Sequence, residues 1–379
     1  MKKIFWLVTA LLTFELAGFS CGNEYGVTLD GKRVYTRYLY LTPSMKSFDT
    51  PRIEEKLDQL QKELKSDPNN FKLKSDISVN LMKLGRADSA LRILNPLLGQ
   101  YPNEYHLMAN LGTAYELTGK LDSALKYIKM GYATNPKSHL SSEWVHVKIL
   151  EAKIKNKRGP GWIRAYPIIE PQFLINKVDT QNLRKSLREV NNEVFYQIRT
   201  RAPFTPAPNA VLANILISLG DFNKKVGTYE NALLSYAYAL EFQGSTTIKR
   251  RITERIRVLN MEHLNTKASY EFSPMFLRLM NRSKVDPELM LLGLDDYANQ
   301  LDSIHTANWK NKDSLQLIKG ELDSVRLLYE NYQVSTLEKQ KVHEAAVSKR
   351  NIYLIAALIL VLVSIAFAVV VFKKRKNED

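Results

Sequence analysis

Across residues 105–136 apolar and small side chains recur at three- and four-residue steps, the period of a helix with one buried face. Met108, Leu111, Gly112 and Tyr115 mark a first helix, and Ala124, Ile128 and Gly131 mark a second. Gly119 falls between them, where a chain leaving a helix needs a residue tolerant of positive φ. Pro136 ends the second helix. The pattern has a counterpart upstream in Ile77, Leu81, Gly85, Ala90, Leu94 and Leu97. Pro68, Pro102 and Pro136 stand 34 residues apart, as do Gly85 and Gly119, and the runs Asp88-Ser89-Ala90-Leu91 and Asp122-Ser123-Ala124-Leu125. Lys74 and Ser78 depart from the pattern in that earlier unit. A third unit covers 213–244, with Leu216, Leu219, Gly220, Gly227, Tyr229, Ala232, Tyr236 and Ala239 in register. Several residue types sharing one period predict stacked helix pairs, each unable to bury its apolar face alone.

The intervening stretch is less regular. Residues 141–155 and 182–200 carry helical patterns, separated by Gly159, Pro160, Gly161, Pro167 and Pro171 and closed by Pro203, Pro206 and Pro208. Residues 156–210 are therefore read as an insertion in a divergent repeat or as a partner-specific loop. Upstream, Asp30-Gly31 between alternating stretches predicts a β-hairpin, which needs to dock on the first helices to be stable. Residues 53–65 supply a helix for that docking. Downstream, 247–264 reads as a helix bearing Lys249, Arg250, Arg251, Arg255 and Arg257. That basic face either caps the array in solvent or meets lipid headgroups or an acidic partner. Residues 314–350 read as a long helix.

This 34-residue pattern resembles the tetratricopeptide repeat, carried most fully by LGTAYELTGKLDSALKYIKMGYATNP. The resemblance implies an all-α solenoid whose first helices line a concave groove for an extended or helical peptide. The side chains expected on that groove are Lys72, Ser75, Val79 and Met82 from the first unit. His106, Ala109, Thr113 and Glu116 follow from the second, then Asn214, Ile217, Asp221 and Lys224 from the third. Ser75 and Val79 stand where the family's carboxylate-clamp version needs part of its cationic and amide set, so that version is not supported.

The ends set the expected topology. Lys2 and Lys3, an apolar run over 4–14 and the small residues Gly18 and Ser20 describe a secretory signal over 1–20. The segment also resembles a bacterial lipoprotein signal, which makes Cys21 a lipidation candidate; an ordinary cleaved signal is the alternative. Residues 352–372 carry no charge and are long enough for a transmembrane helix. Lys373, Lys374, Arg375 and Lys376 in the tail 373–379 point that end to the cytoplasm. The organisation expected is a signal over 1–20, a hairpin and lead-in helix over 22–66 and repeats over 67–268. A helical stalk over 269–350, the span and the tail follow. The body faces the periplasm or exterior of a bacterial envelope.

Charge and chemistry narrow the function. The chain of 379 residues has 54 Lys and Arg against 39 Asp and Glu, a formal +15. With hydrophobic ends, that surplus points to anionic lipid, envelope polymer or an acidic protein before nucleic acid. The lone cysteine excludes an internal disulfide. The six histidines show no helical ligand pair for a metal, and His139 and His146 read as surface or packing residues. No phosphate-cradling loop or nucleophile elbow is present. The expectation is a membrane-anchored scaffold that binds an envelope protein or peptide, without catalysis, cofactor or metal. The alternatives are the external part of a signalling complex and an envelope enzyme with its site in 156–210.

Overall fold

Polar residues placed just before apolar periodic runs start several of the helices. Asp49, Asn70, Asn209 and Thr228 each accept a hydrogen bond from a first-turn backbone N–H, satisfying a donor that the helix leaves without a partner. The computed structural model describes residues 24–27, 33–36, 39–42, 45–264, 280, 282–290 and 292–293, all within one compact unit, Met1–Tyr297. The signal over 1–20, Cys21, most of the stalk over 269–350, the span 352–372 and the tail 373–379 lie outside the described residues. No helix among the described residues is long and apolar enough to cross a membrane.

The described architecture is almost wholly helical and is compatible with a helical repeat. Helices α1 (Thr50–Ser66), α2 (Phe71–Lys83), α3 (Ala87–Gln100), α4 (Tyr105–Leu117) and α5 (Leu121–Thr134) pack each on the next. The stack goes on through α6 (Glu143–Arg158). Two short helices, α7 (Trp162–Ala165) and α8 (Pro171–Asn176), precede α9 (Leu183–Arg201), α10 (Ala210–Val226), α11 (Tyr229–Phe242) and α12 (Thr246–Leu264). A continuous apolar core threads α1 to α4 through Leu60, Ile77, Leu81, Leu94, Leu107 and Leu111. Ala124, Ile128 and Leu150 join α5 to α6.

The 34-residue sequence period shows in two of the turns. Gly85 and Gly119 share a φ of +75°. Each donates its N–H three residues back, to Met82 O at 3.0 Å and to Glu116 O at 3.0 Å. The next residue then donates to the carbonyl five back, from Arg86 to Leu81 at 2.8 Å and from Lys120 to Tyr115 at 2.9 Å. This double closure needs a left-handed residue, which glycine adopts without steric cost. Small residues also sit where helices touch. A Cβ on Gly112 would lie 2.5 Å from Ile128 Cδ1, and one on Gly220 would lie 2.3 Å from the Tyr236 ring. In the third unit the turn differs, since Gly227 has a φ of −96°.

One placement departs from sequence expectation. Strands β1 (Glu24–Val27) and β2 (Arg33–Thr36) pair antiparallel, Tyr25 opposite Tyr35, but they lie against α11 and α9 and not on the first helices. The segment that follows explains why. Leu39 N–H donates to Asn231 Oδ1 at 3.1 Å, and Leu41 N–H donates to the Tyr238 hydroxyl at 3.0 Å. Leu41 is fully buried, and Lys46 pairs with Glu241. Phe48 then meets the edge of Phe204, ring centroids 4.7 Å apart, just before α1 begins. Residues 39–42 and 45–48 thus form a strap from the late helices back to the first. In the stretch 156–210 the helix expected over 182–200 is present as α9, and it packs between α6 and α10. Asn191 and Asn223 exchange buried amide bonds at 3.1 and 2.7 Å across the α9–α10 contact.

Candidate functional site: a charged groove

Helical spacing aims one face of each of four helices at a common cavity of about 670 Å³. Val79, Met82 and Lys83 come from α2, and Ala109, Asn110, Thr113 and Glu116 come from α4. Glu143, His146, Ile149 and Lys153 line it from α6, and Tyr196, Gln197, Arg199, Thr200 and Arg201 from α9. Phe48 of the strap and Phe204 close one side. Most of the exposed lining is apolar.

At its base Glu116 is buried beneath donors from two other helices. His146 Nε2 lies 2.7 Å from Glu116 Oε2, Lys153 Nζ 2.7 Å from Oε1, and Arg201 Nη2 3.4 Å from Oε2. Burial alone works to raise this carboxyl. The Arg201 and Lys153 charges, together with His146, outweigh it and hold the group well below the usual carboxylate range. Glu143 completes the network. Its carboxylate pairs with His139 Nδ1 and faces His146 Nδ1 at 3.6 Å. Burial again pushes the carboxyl up, and hydrogen bonds from His139 and His146 bring it down to about 2. Arg201 Nη1 also donates to Gln197 Oε1 at 2.9 Å, and Gln197 Nε2 to Ser142 Oγ at 2.9 Å. The buried Arg201 Nε has no hydrogen-bond partner.

The chain reaches this geometry through an unusual turn. His139, Leu140 and Ser141 have φ of 48°, 58° and 61°, a left-handed conformation that L side chains adopt at a cost of about 1–2 kcal/mol each. The turn lets His139 fold back on Glu143, and His139 stacks on Tyr196 with centroids 5.7 Å apart. His139 and His146, read from sequence as surface or packing residues, both line the cavity and converge on Glu143. The signal was present as Glu143 four residues after one histidine and three before the other.

Of the groove residues expected from sequence, Val79, Met82, Ala109, Thr113 and Glu116 are brought together here. Glu116 arrives as a buried member of an ionic network, not as a free contact. Lys72 and His106 are exposed on the first turns of α2 and α4 and do not line the cavity. The third-unit residues are separated from it and already engaged. Asn214 Nδ2 donates to Ile163 O at 2.6 Å and Tyr166 O at 2.8 Å, while its Oδ1 accepts from Ile168 N at 2.7 Å. Asp221 accepts from Arg255 Nε at 2.9 Å and from the Tyr236 hydroxyl at 2.6 Å. Lys224 pairs with Glu262 at 2.7 Å. The 163–168 stretch therefore lies over the face that α10 was expected to offer. A smaller cavity of about 260 Å³ remains there beside Asn214, Ile217, Asp221 and Arg251.

Lysines and arginines dominate the fixed charges of the main cavity, Lys83, Lys153, Arg199 and Arg201 against Glu116 and Glu143. Among the described residues Lys83 and Arg199 make no ion pair. No group of three or more His, Cys, Asp or Glu side chains there is placed to hold a metal ion. No protein-family model matches the chain, and no curated protein matches its sequence.

Proposed function

We propose that the chain is a membrane-tethered scaffold of the tetratricopeptide type that holds a segment of another envelope protein in this groove, without chemistry of its own. The observation that carries the reading is a groove of about 670 Å³, lined chiefly from α2, α4, α6 and α9 and mostly apolar. A shape of this kind suits side chains of an extended or helical segment. The 34-residue period and the shared glycine turns support the family assignment. The uncharged run 352–372 and the basic residues after it support a single span with the body outside the cytoplasm. Cys21 supports a second, lipid attachment at the other end.

The cavity does bring acids and bases together, the arrangement an enzyme would need. Both carboxylates are held well below the glutamate range by charged or hydrogen-bonded partners. A general base works best with a pKa near the working pH. Glu116 and Glu143 are better suited to fixing helices than to accepting protons.

Photoreactive residues placed at Val79 and Thr113, with Lys224 as control, test the reading in native membranes. Capture of the same protein from both groove positions and not from Lys224 is the expected result. Capture from Lys224 alone, or from none of the three, overturns it.

A further inference from the structure

We propose that the groove selects an acidic polypeptide segment whose carboxylates are interleaved with apolar side chains. This rests on the scaffold reading and names the partner's chemistry. The apolar part follows from Val79, Met82, Ile149 and Phe204 along the cavity. The acidic part follows from a mismatch of charge. Glu116 and Glu143 are each engaged by basic side chains within the network. Lys83 and Arg199 are half-buried at the same cavity and have no ion pair among the described residues. Arg201 adds a buried Nε without a partner. A partly desolvated cation gains most from an anion that shares its low-dielectric surroundings. The groove thus has an uncompensated positive charge that a neutral or basic segment leaves unmatched.

A peptide backbone, unlike a plain polyanion, would also find an acceptor in the groove at Asn110. Asn110 Nδ2 is committed to Ser75 Oγ at 3.0 Å. Its Oδ1 accepts no hydrogen bond among the described residues, which leaves an acceptor for a peptide N–H. Much of the charge lies outside the repeat. Lys153 and the α9 residues Arg199 and Arg201 are not among the residues that carry the 34-residue period, whereas Lys83 belongs to its first unit. The irregular stretch thus adds most of the positive charge to a wall that the regular units begin.

Fluorescence anisotropy of the full-length chain in a neutral detergent tests this with three labelled peptides. One alternates glutamate and leucine, one replaces every glutamate by glutamine, and one is oligoglutamate without leucine. Unlabelled inorganic polyphosphate serves as competitor. The glutamate–leucine peptide is expected to bind about tenfold or more tighter than its glutamine isostere, the size of a charge-assisted contact. The double variant Lys83→Gln/Arg199→Gln breaks no ion pair among the described residues, and it is expected to erase that preference while keeping its circular dichroism. Equal binding of the glutamine isostere overturns the acidic selectivity and leaves the scaffold reading standing. Oligoglutamate binding as tightly, or polyphosphate displacing the peptide as well as excess peptide does, overturns it in favour of a plain polyanion site. Binding of no peptide overturns it too, whereas the scaffold reading falls only if Val79 and Thr113 capture nothing in native membranes.

Discussion

Glu143 sits between two histidines, and its carboxyl is held at about 2 against an ordinary value of 4.5 although burial opposes the shift. The folded chain therefore binds this proton less readily than the unfolded chain. The stabilisation is complete above 4.5 and is lost as pH falls through about 2. The urea midpoint is expected to drop over that interval, and Glu143→Gln is expected to flatten the drop. An unchanged slope in the variant would show that the histidines do not hold the carboxyl. Glu116 is predicted to matter more, because its removal leaves Lys153, Arg201 and His146 facing one another in a buried site. Glu116→Ala is expected to cost about 3–5 kcal/mol in urea unfolding. Glu254→Ala, which removes the exposed partner of Arg257, is expected to stay within about 0.5 kcal/mol.

At the level of elements, the α2–α3 and α4–α5 connections are the same device used twice. Gly85 and Gly119 share φ, and an added Cβ at either position would meet nothing within 4 Å. Only the backbone conformation then penalises alanine, by about 1–2 kcal/mol. Gly85→Ala and Gly119→Ala are expected to give matching losses in thermal unfolding; a large inequality would mean that the turns are not equivalent. The α9–α10 contact is specified differently. Asn191 and Asn223 satisfy each other's amides in the core, so either replaced by leucine leaves the other with an unmet group at about 1–3 kcal/mol. The double replacement is expected to cost less than the sum of the singles, and strict additivity would rule out the coupling.

Over the whole described unit, the strap of residues 39–42 and 45–48 decides how the array is closed. The Tyr238 hydroxyl receives Leu41 N–H and donates to Ser283 Oγ at 2.9 Å. One side chain of α11 thereby fastens the N-terminal strap and the segment beyond α12. Asn260 secures that later segment again through Leu289 O at 2.9 Å and Leu292 O at 2.8 Å. Tyr238→Phe keeps the ring and removes the fastening. It is expected to speed amide exchange at Leu41 by about tenfold, corresponding to one lost hydrogen bond, while α2 to α5 keep their protection. Unaltered exchange at Leu41 would place the strap's stability in its apolar contacts, chiefly the buried side chain of Leu41.

What the sequence determined by itself was local. The 34-residue period, the glycine turns, the small residues at helix contacts and the helices of the stack are legible because i, i+3 and i+4 spacing and the sign of φ act within a few residues. Val79 with Met82, and Ala109 with Thr113, could be placed on one face of their own helices for the same reason, while a groove common to both helices was an expectation from the family resemblance. The tertiary structure decided the rest. Arg201 meets Glu116 across 85 residues, and no local period states which distant cation will neutralise a buried carboxylate. Three successive left-handed residues without glycine turn His139 onto Glu143, against the intrinsic preference of every side chain involved. Asn214, Asp221 and Lys224 followed the helical pattern of a groove-facing helix, yet each is engaged elsewhere. A buried or half-buried polar group goes to whichever partner desolvates with it, and that partner is chosen by the packing of the whole unit.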